Sequence, residues 1–84
     1  MVTLLYFASL RERLGRSREQ VALPGASATV AILVEQLRAR DARWSEALGA
    51  GQAWRVAVNQ RMADGATPLK PGDEVAFFPP VTGG

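Results

Sequence analysis

Thr29-Val30-Ala31-Ile32-Leu33-Val34-Glu35-Gln36-Leu37-Arg38 is the stretch on which the fold turns. Val30, Leu33, Val34 and Leu37 recur at i, i+3, i+4 and i+7, which draws one apolar stripe along a helix that faces a core. Thr29 suits the N-cap, where its hydroxyl can accept an orphan backbone N–H, with Ser27 as a competing choice. Arg38 and Arg40 fall near the other end, where cations suit the helix dipole. No other segment of the chain reads as so complete a helix.

Outward from it the period changes. On the N-terminal side, Pro24-Gly25 closes a strand expected over Glu19 to Leu23, and Ser9 to Leu14 reads as a short polar helical piece stopped by Gly15. Before that, Val2 to Ala8 is a β-branched and aromatic run of strand length. On the C-terminal side, Ala42 to Leu48 is a second helical piece carrying Trp44, Ala47 and Leu48, halted at Gly49-Ala50-Gly51. Trp54, Val56 and Val58 then alternate with Arg55, Ala57 and Asn59, the pattern of a half-buried strand. Asn59-Gln60 starts a turn into a short return strand, Arg61 to Ala63. Pro71-Gly72 fits the centre of a type II turn, because Pro fixes φ and Gly allows a positive one. Glu74 to Phe78 is the last strand. Strand, strand, helix, then short strands is an α+β order, not alternating βα units. The expected architecture is a β-grasp (ubiquitin-like) roll: a mixed sheet packed on one main helix over residues 1–78, with an extended C-terminal tail at 79–84.

Composition removes whole classes of chemistry. Eighty-four residues suffice for one domain. The chain has no Cys and no His, which excludes disulfides, thiolate nucleophiles, Cys/His zinc sites and imidazole acid–base catalysis. The acids are scattered without metal-ligand spacing, so a self-sufficient enzyme is not expected, nor a bound cofactor or metal. The pI near 9.9 reflects a net charge of only +2. Its densest basic group, Arg11, Arg13, Arg16 and Arg18, is interleaved with Glu12 and Glu19 and lacks stacking aromatics. A solvated surface is the better reading, and no nucleic acid is expected as a partner. No stretch approaches the ~20 apolar residues that span a bilayer. Met1 to Leu5 reads as a strand without a basic n-region or cleavage site, which predicts a cytoplasmic protein that does not engage a membrane.

Two features can carry function. The first is the tail. Pro79-Pro80 cannot continue a ladder and stiffens the exit from the sheet. Six residues from Pro79 to Gly84 reach roughly 20 Å, and Gly83-Gly84 ends without a side chain, so a narrow channel can admit it. The α-carboxylate, with a pKa of about 3.5, is anionic and a poor electrophile until it is activated, for example as an acyl-adenylate formed with ATP. From the terminal pair alone, a frayed end that happens to finish in Gly is the better reading, since most terminal glycines are just that.

The second is a parity argument. If Val2, Leu4 and Tyr6, Val56 and Val58, and Val75 and Phe77 face the core, then Leu5, Phe7, Ala57, Ala76 and Phe78 share the outer face. That face is apolar for a surface shown to water. Such a patch commonly marks a partner site; that a loop covers it, or that both faces of the sheet are buried, is an equally open reading. It lies at the root of the tail, because Phe78 directly precedes Pro79.

These residues resemble a known family. Gly72-Asp73-Glu74-Val75-Ala76-Phe77-Phe78-Pro79-Pro80-Val81-Thr82-Gly83-Gly84 is similar to the ending of the small subunit of molybdopterin synthase (MoaD-type). Tyr6-Phe7-Ala8 with Arg11-Glu12 and Gly15 resembles that family's opening. Ala57-Val58-Asn59-Gln60 resembles its central strand and turn, and Arg43-Trp44 with Ala47-Leu48 the segment before it. The resemblance implies a β-grasp fold and a sulfur-carrier cycle. An E1-like (MoeB-type) adenylyltransferase would use ATP to adenylate Gly84, and a sulfur donor protein would convert the adenylate to a thiocarboxylate. The charged carrier would dock on the large synthase subunit (MoaE-type), in a heterotetramer, and deliver sulfur to cyclic pyranopterin monophosphate. It further implies that Gly83 keeps the tail slender and that Phe7, Met62 and Phe78 dock the partner, with Pro79, Pro80, Val81 and Thr82 entering its active site. A carrier that receives sulfur from another protein's persulfide and releases it from an acyl group needs no thiol of its own.

Three other readings share much of this pattern. A thiamine-type sulfur carrier would share the fold, the Gly-Gly end and the adenylation. A ubiquitin-like modifier would join Gly84 to lysines of target proteins. A β-grasp binding module would do no covalent chemistry at all, and fold alone does not choose among them.

Overall fold

The computed structural model describes residues 1–49 and 51–80. Eight elements follow one another: β1 (Val2–Tyr6), α1 (Ala8–Leu14), β2 (Arg18–Val21), α2 (Val30–Arg38), α3 (Ala42–Ala47), β3 (Arg55–Val58), β4 (Arg61–Met62) and β5 (Glu74–Phe78). The strands form one mixed sheet in the order β2-β1-β5-β3-β4. β1 and β5 run parallel at its centre, and every other pairing is antiparallel. The three helices cover one side. This is the β-grasp arrangement expected from the sequence.

The stripe on α2 does what its spacing dictates. Val30, Leu33, Val34 and Leu37 are all buried, against Val2, Leu4 and Tyr6 of β1, Val56 of β3, and Val75 and Phe77 of β5. Each such side chain contributes about 1.5–3 kcal/mol on full burial. Thr29 is the N-cap, its hydroxyl accepting from Ile32 N at 3.4 Å. Asp41 caps α3 in the same way, accepting from Arg43 N at 2.9 Å and Trp44 N at 3.2 Å. Leu10 and Leu14 of α1, with Trp44, Ala47 and Leu48, close the end of the core.

Several boundaries differ from those read off the sequence. The first strand stops at Tyr6, not Ala8, because Ala8 takes a φ of 51° and turns the chain into α1. β2 covers Arg18–Val21, not Glu19–Leu23, because its partner sets its length: Val21 lies opposite Val2, where β1 begins. The return strand is Arg61–Met62, one residue shorter than expected. The turns behave as their residues require. Gly72 has a φ of 90°, and Asp73 N donates to Lys70 O at 3.1 Å across it. Asn59 and Gln60 both have positive φ, 51° and 68°, the backbone of a type I′ hairpin.

Candidate functional site

The two-residue turn fixes the register of β3 on β4, and the rest of the sheet follows. Directly opposed residues of paired strands point to the same face. Leu5 of β1 lies opposite Arg18 of β2 on one side and Ala76 of β5 on the other. Ala76 lies opposite Ala57 of β3, and Ala57 opposite Met62 of β4. Arg18, Leu5, Ala76, Ala57 and Met62 therefore form one row across all five strands on the face the helices leave open.

A second row lies on the tail side of the first. Phe7 is extended and donates its N–H to Phe77 O at 3.1 Å, which carries the β1–β5 ladder one step further and seats Phe7 beside Phe78. Phe78 lies opposite Arg55. On the far side of the first row stand Gln20, Thr3 and Glu74, with the Gln20 amide donating to the Thr3 hydroxyl at 3.4 Å. The outer face thus grades from aromatic at the tail to polar at the opposite end.

Exposure follows from neighbours. Phe7 and Met62 are 44% and 65% exposed. Leu5, Ala76 and Phe78 are half-buried, and Ala57 is buried between its cross-strand partners. All five residues of the parity argument are on this face. Met62 joins them; the alternation of β3 alone does not place it, but a two-residue turn pairing Val58 with Arg61 pairs Ala57 with Met62 as well. Pro79 and Pro80 leave the end of β5 half-buried. Val81, Thr82, Gly83 and Gly84, where the sequence places the reacting end, lie outside the described residues.

Sequence reasoning missed a polar lock that holds the tail-side end of β1. Glu19 of β2 accepts from Tyr6 Oη at 2.7 Å, from Arg40 at 2.8 and 2.9 Å, and from Arg16 at 3.2 Å. Burial, and then the bond to Glu19, push the Tyr6 hydroxyl far above its ordinary value. Burial alone would raise Glu19, but hydrogen bonds from Arg40 and Tyr6 outweigh it and hold the carboxyl below the usual range. Arg40 also lies over the Trp44 ring at 4.4 Å. Nothing in the local sequence, Arg18-Glu19-Gln20-Val21, marks this glutamate out.

At the β3–β4 edge, where Arg55 and Met62 reach its lining, a cleft of about 400 Å³ opens toward α2, walled by Val30, Val34, Trp54 and Val56. Neither Phe7 nor Phe78 lines it. Among the described residues, no three or more His, Cys, Asp or Glu side chains gather where they could hold a metal. No helix among them is long and apolar enough to cross a membrane. What the arrangement offers is an apolar sheet face at whose edge the chain leaves β5 through Pro79 and Pro80.

Comparison with known proteins agrees with this geometry. The molybdopterin synthase sulfur carrier subunit of Escherichia coli (strain K12) is 44% identical over 84 residues, covering all of both chains. A Pyrococcus furiosus structure provisionally named molybdopterin converting factor, subunit 1, superposes with a TM-score of 0.79 at 30% identity, over 95% of this chain and 97% of that one. Small archaeal modifier protein 1 of Haloferax volcanii superposes with a TM-score of 0.75 at 26% identity, over 95% of this chain and 97% of that one. Residues 4–84, from the first core strand through the tail, match the ThiS family, and the chain belongs to that family.

Proposed function

We propose that this chain is the sulfur carrier subunit of a molybdopterin synthase. The observation that carries the reading is an apolar outer face that runs to the Phe78–Pro79 exit, in a chain alike over its full length to sulfur carrier subunits. A partner seated on Phe7, Met62 and Phe78 receives the tail at a fixed angle. Pro79-Pro80 stiffens the exit, and the last four residues, Val81 to Gly84, extend the reach by roughly 13 Å.

The chemistry resides at the Gly84 carboxylate. An E1-like adenylyltransferase joins it to AMP from ATP with release of pyrophosphate. A sulfur donor protein's persulfide then attacks the acyl carbon as AMP leaves, and a thiol reduces the acyl disulfide so formed to a thiocarboxylate. Docked on the large synthase subunit, the carrier passes sulfur to cyclic pyranopterin monophosphate, and water returns the acyl end to the carboxylate. Gly83 lacks a Cβ that would widen the tail in the channel. The chain itself binds no cofactor in this cycle, since ATP is consumed at the activating enzyme.

Intact-mass spectrometry tests this directly, before and after incubation with ATP, a sulfide source and the E1-like enzyme. An oxygen-to-sulfur increment located on Gly84 supports the carrier reading. The absence of both that increment and an AMP adduct under every condition would sink it. The likeness to a small archaeal modifier protein favours a second reading, attachment of Gly84 to target lysines. Stable conjugates on a denaturing gel would mark that reading, and a pure carrier accumulates none.

A further inference from the structure

Two cations stand on the outer face, and their placement is asymmetric. Arg18 ends the row of Leu5, Ala76, Ala57 and Met62 at the β2 edge. Arg55 sits opposite Phe78, at the root of the tail. Both are exposed. Arg16, Arg38, Arg40 and Arg43 each pair with a carboxylate, whereas neither Arg18 nor Arg55 forms an ion pair among the described residues. The one acid in the three rows is Glu74, beside Thr3 at the end away from the tail.

Apolar contact is non-directional. A flat patch of Leu, Ala, Met and Phe holds a partner but fixes its rotation weakly, and a partner rotated on that patch would find the tail pointing away from its channel. Charges at the rim supply the missing orientation, because like charges brought together are costly and opposite ones steer encounter. Three strand spacings and two residues along the strand separate Arg18 from Arg55 by roughly 16 Å. That is wide enough to define a direction on the partner's surface.

We propose that Arg18 and Arg55 are the orienting residues of the docking face, and that the partner protein presents an apolar patch bordered by two carboxylate clusters set to meet them. This rests on the carrier reading above. It assigns the partner an acidic rim on the side where the channel for the tail opens, and a neutral or basic one facing Glu74.

The test measures association of the full-length carrier with the large synthase subunit from the same source, by biolayer interferometry, as NaCl rises from about 25 to about 250 mM. The wild-type association rate is expected to fall about tenfold over that range. R55E and R18E should each slow association at low salt by about fivefold and flatten the salt dependence, with dissociation little changed. K70E makes the same net-charge change away from the face, at the turn before β5, and should slow association far less. Each variant's thermal melt is recorded first, and a melt matching wild type ties the rate change to the surface.

F78S separates the two levels of the argument. If F78S weakens docking while R18E and R55E leave the rate and the salt slope unchanged, the orienting role is overturned and the docking face stands. If F78S also leaves docking unchanged, the face itself is wrong and the orienting role falls with it. Equal slowing by K70E would assign the effect to net charge and overturn the placement. So would a homodimer of the carrier alone that R55E dissociates, since the cations would then serve contact with a second copy. Restoration of the R55E rate by reversing one acidic cluster on the large subunit to lysine would identify the matching carboxylates.

Discussion

The Tyr6 hydroxyl donates to Glu19 Oε2 at 2.7 Å, and this one bond ties the core aromatic cluster to the arginines that cover it. The Tyr6 ring stacks on Phe77 at 5.8 Å and meets Trp44 edge-on at 5.5 Å. Arg40, bonded twice to Glu19, lies over the other member of that pair, Trp44. Removing the carboxylate strands a buried hydroxyl and frees the guanidinium. Glu19→Ala is expected to cost about 2 kcal/mol, lowering Tm by roughly 10 °C in a domain of this size. Tyr6→Phe should cost only about 1 kcal/mol, since Glu19 keeps Arg40. The double variant should cost less than the sum, because both substitutions break the same bond. Urea unfolding of the four proteins measures this, and strict additivity would mean the two side chains act independently.

Asp73 gives stability an acid dependence. Its carboxylate accepts from the Asn59 amide at 2.9 Å and from Lys70 N at 2.8 Å, and these bonds, the first above all, hold its pKa below the ordinary value. A group lowered on folding stabilises fully above its unfolded pKa of about 4, and that stability is lost as pH falls through the folded value. Asp73→Asn is therefore expected to cost about 1–2 kcal/mol at pH 7 and progressively less as pH falls below about 4. Urea midpoints of both proteins, followed from pH 7 into acid, check this. A cost that persists undiminished in acid would point to packing and not to charge.

The β3–β4 turn carries a correctable strain. A type I′ turn needs positive φ at both central residues and favours Asn-Gly. Asn59 tolerates it, but Gln60, at a φ of 68°, has a Cβ that does not. Gln60→Gly is expected to stabilise the fold by about 1 kcal/mol and raise Tm by roughly 4–8 °C. Calorimetry decides, and a lowered Tm would mean the Gln60 side chain makes a contact that outweighs the strain.

The sequence was most informative where a single period governs a segment. The α2 stripe, the alternation in β1 and β5, and the Pro71-Gly72 turn are local patterns, and each reads correctly because nothing distant overrides it. The outer face was legible for the same reason: once the inner residues of β1, β3 and β5 are set, parity dictates the others. What stayed hidden depends on partners in space. The length of β2 is set by where β1 begins, and the end of β1 by a backbone turn at Ala8. Glu19 reads as an ordinary strand glutamate until Tyr6, Arg16 and Arg40 are brought around it. Arg18 and Arg55, 37 positions apart in the sequence, become rim residues of one surface only through the register of the sheet.

Met62 allows docking to be separated from folding. At 65% exposed on a two-residue edge strand, it lends the core little, so Met62→Ser should shift stability by no more than about 0.5 kcal/mol. On a docked partner the same side chain, seated beside Ala57, is covered. Partial burial of a methionine contributes about 1.4 kcal/mol, roughly tenfold in affinity. Ile32 serves as the control: it is 46% exposed and sits on α2, behind the sheet and remote from the outer face. Ile32→Ser removes comparable exposed apolar surface and is expected to change affinity less than about twofold. Titration calorimetry against the large synthase subunit distinguishes the two. Equal losses would mean that exposed apolar area, wherever it lies, governs association, and the outer face would lose its claim to be the docking surface.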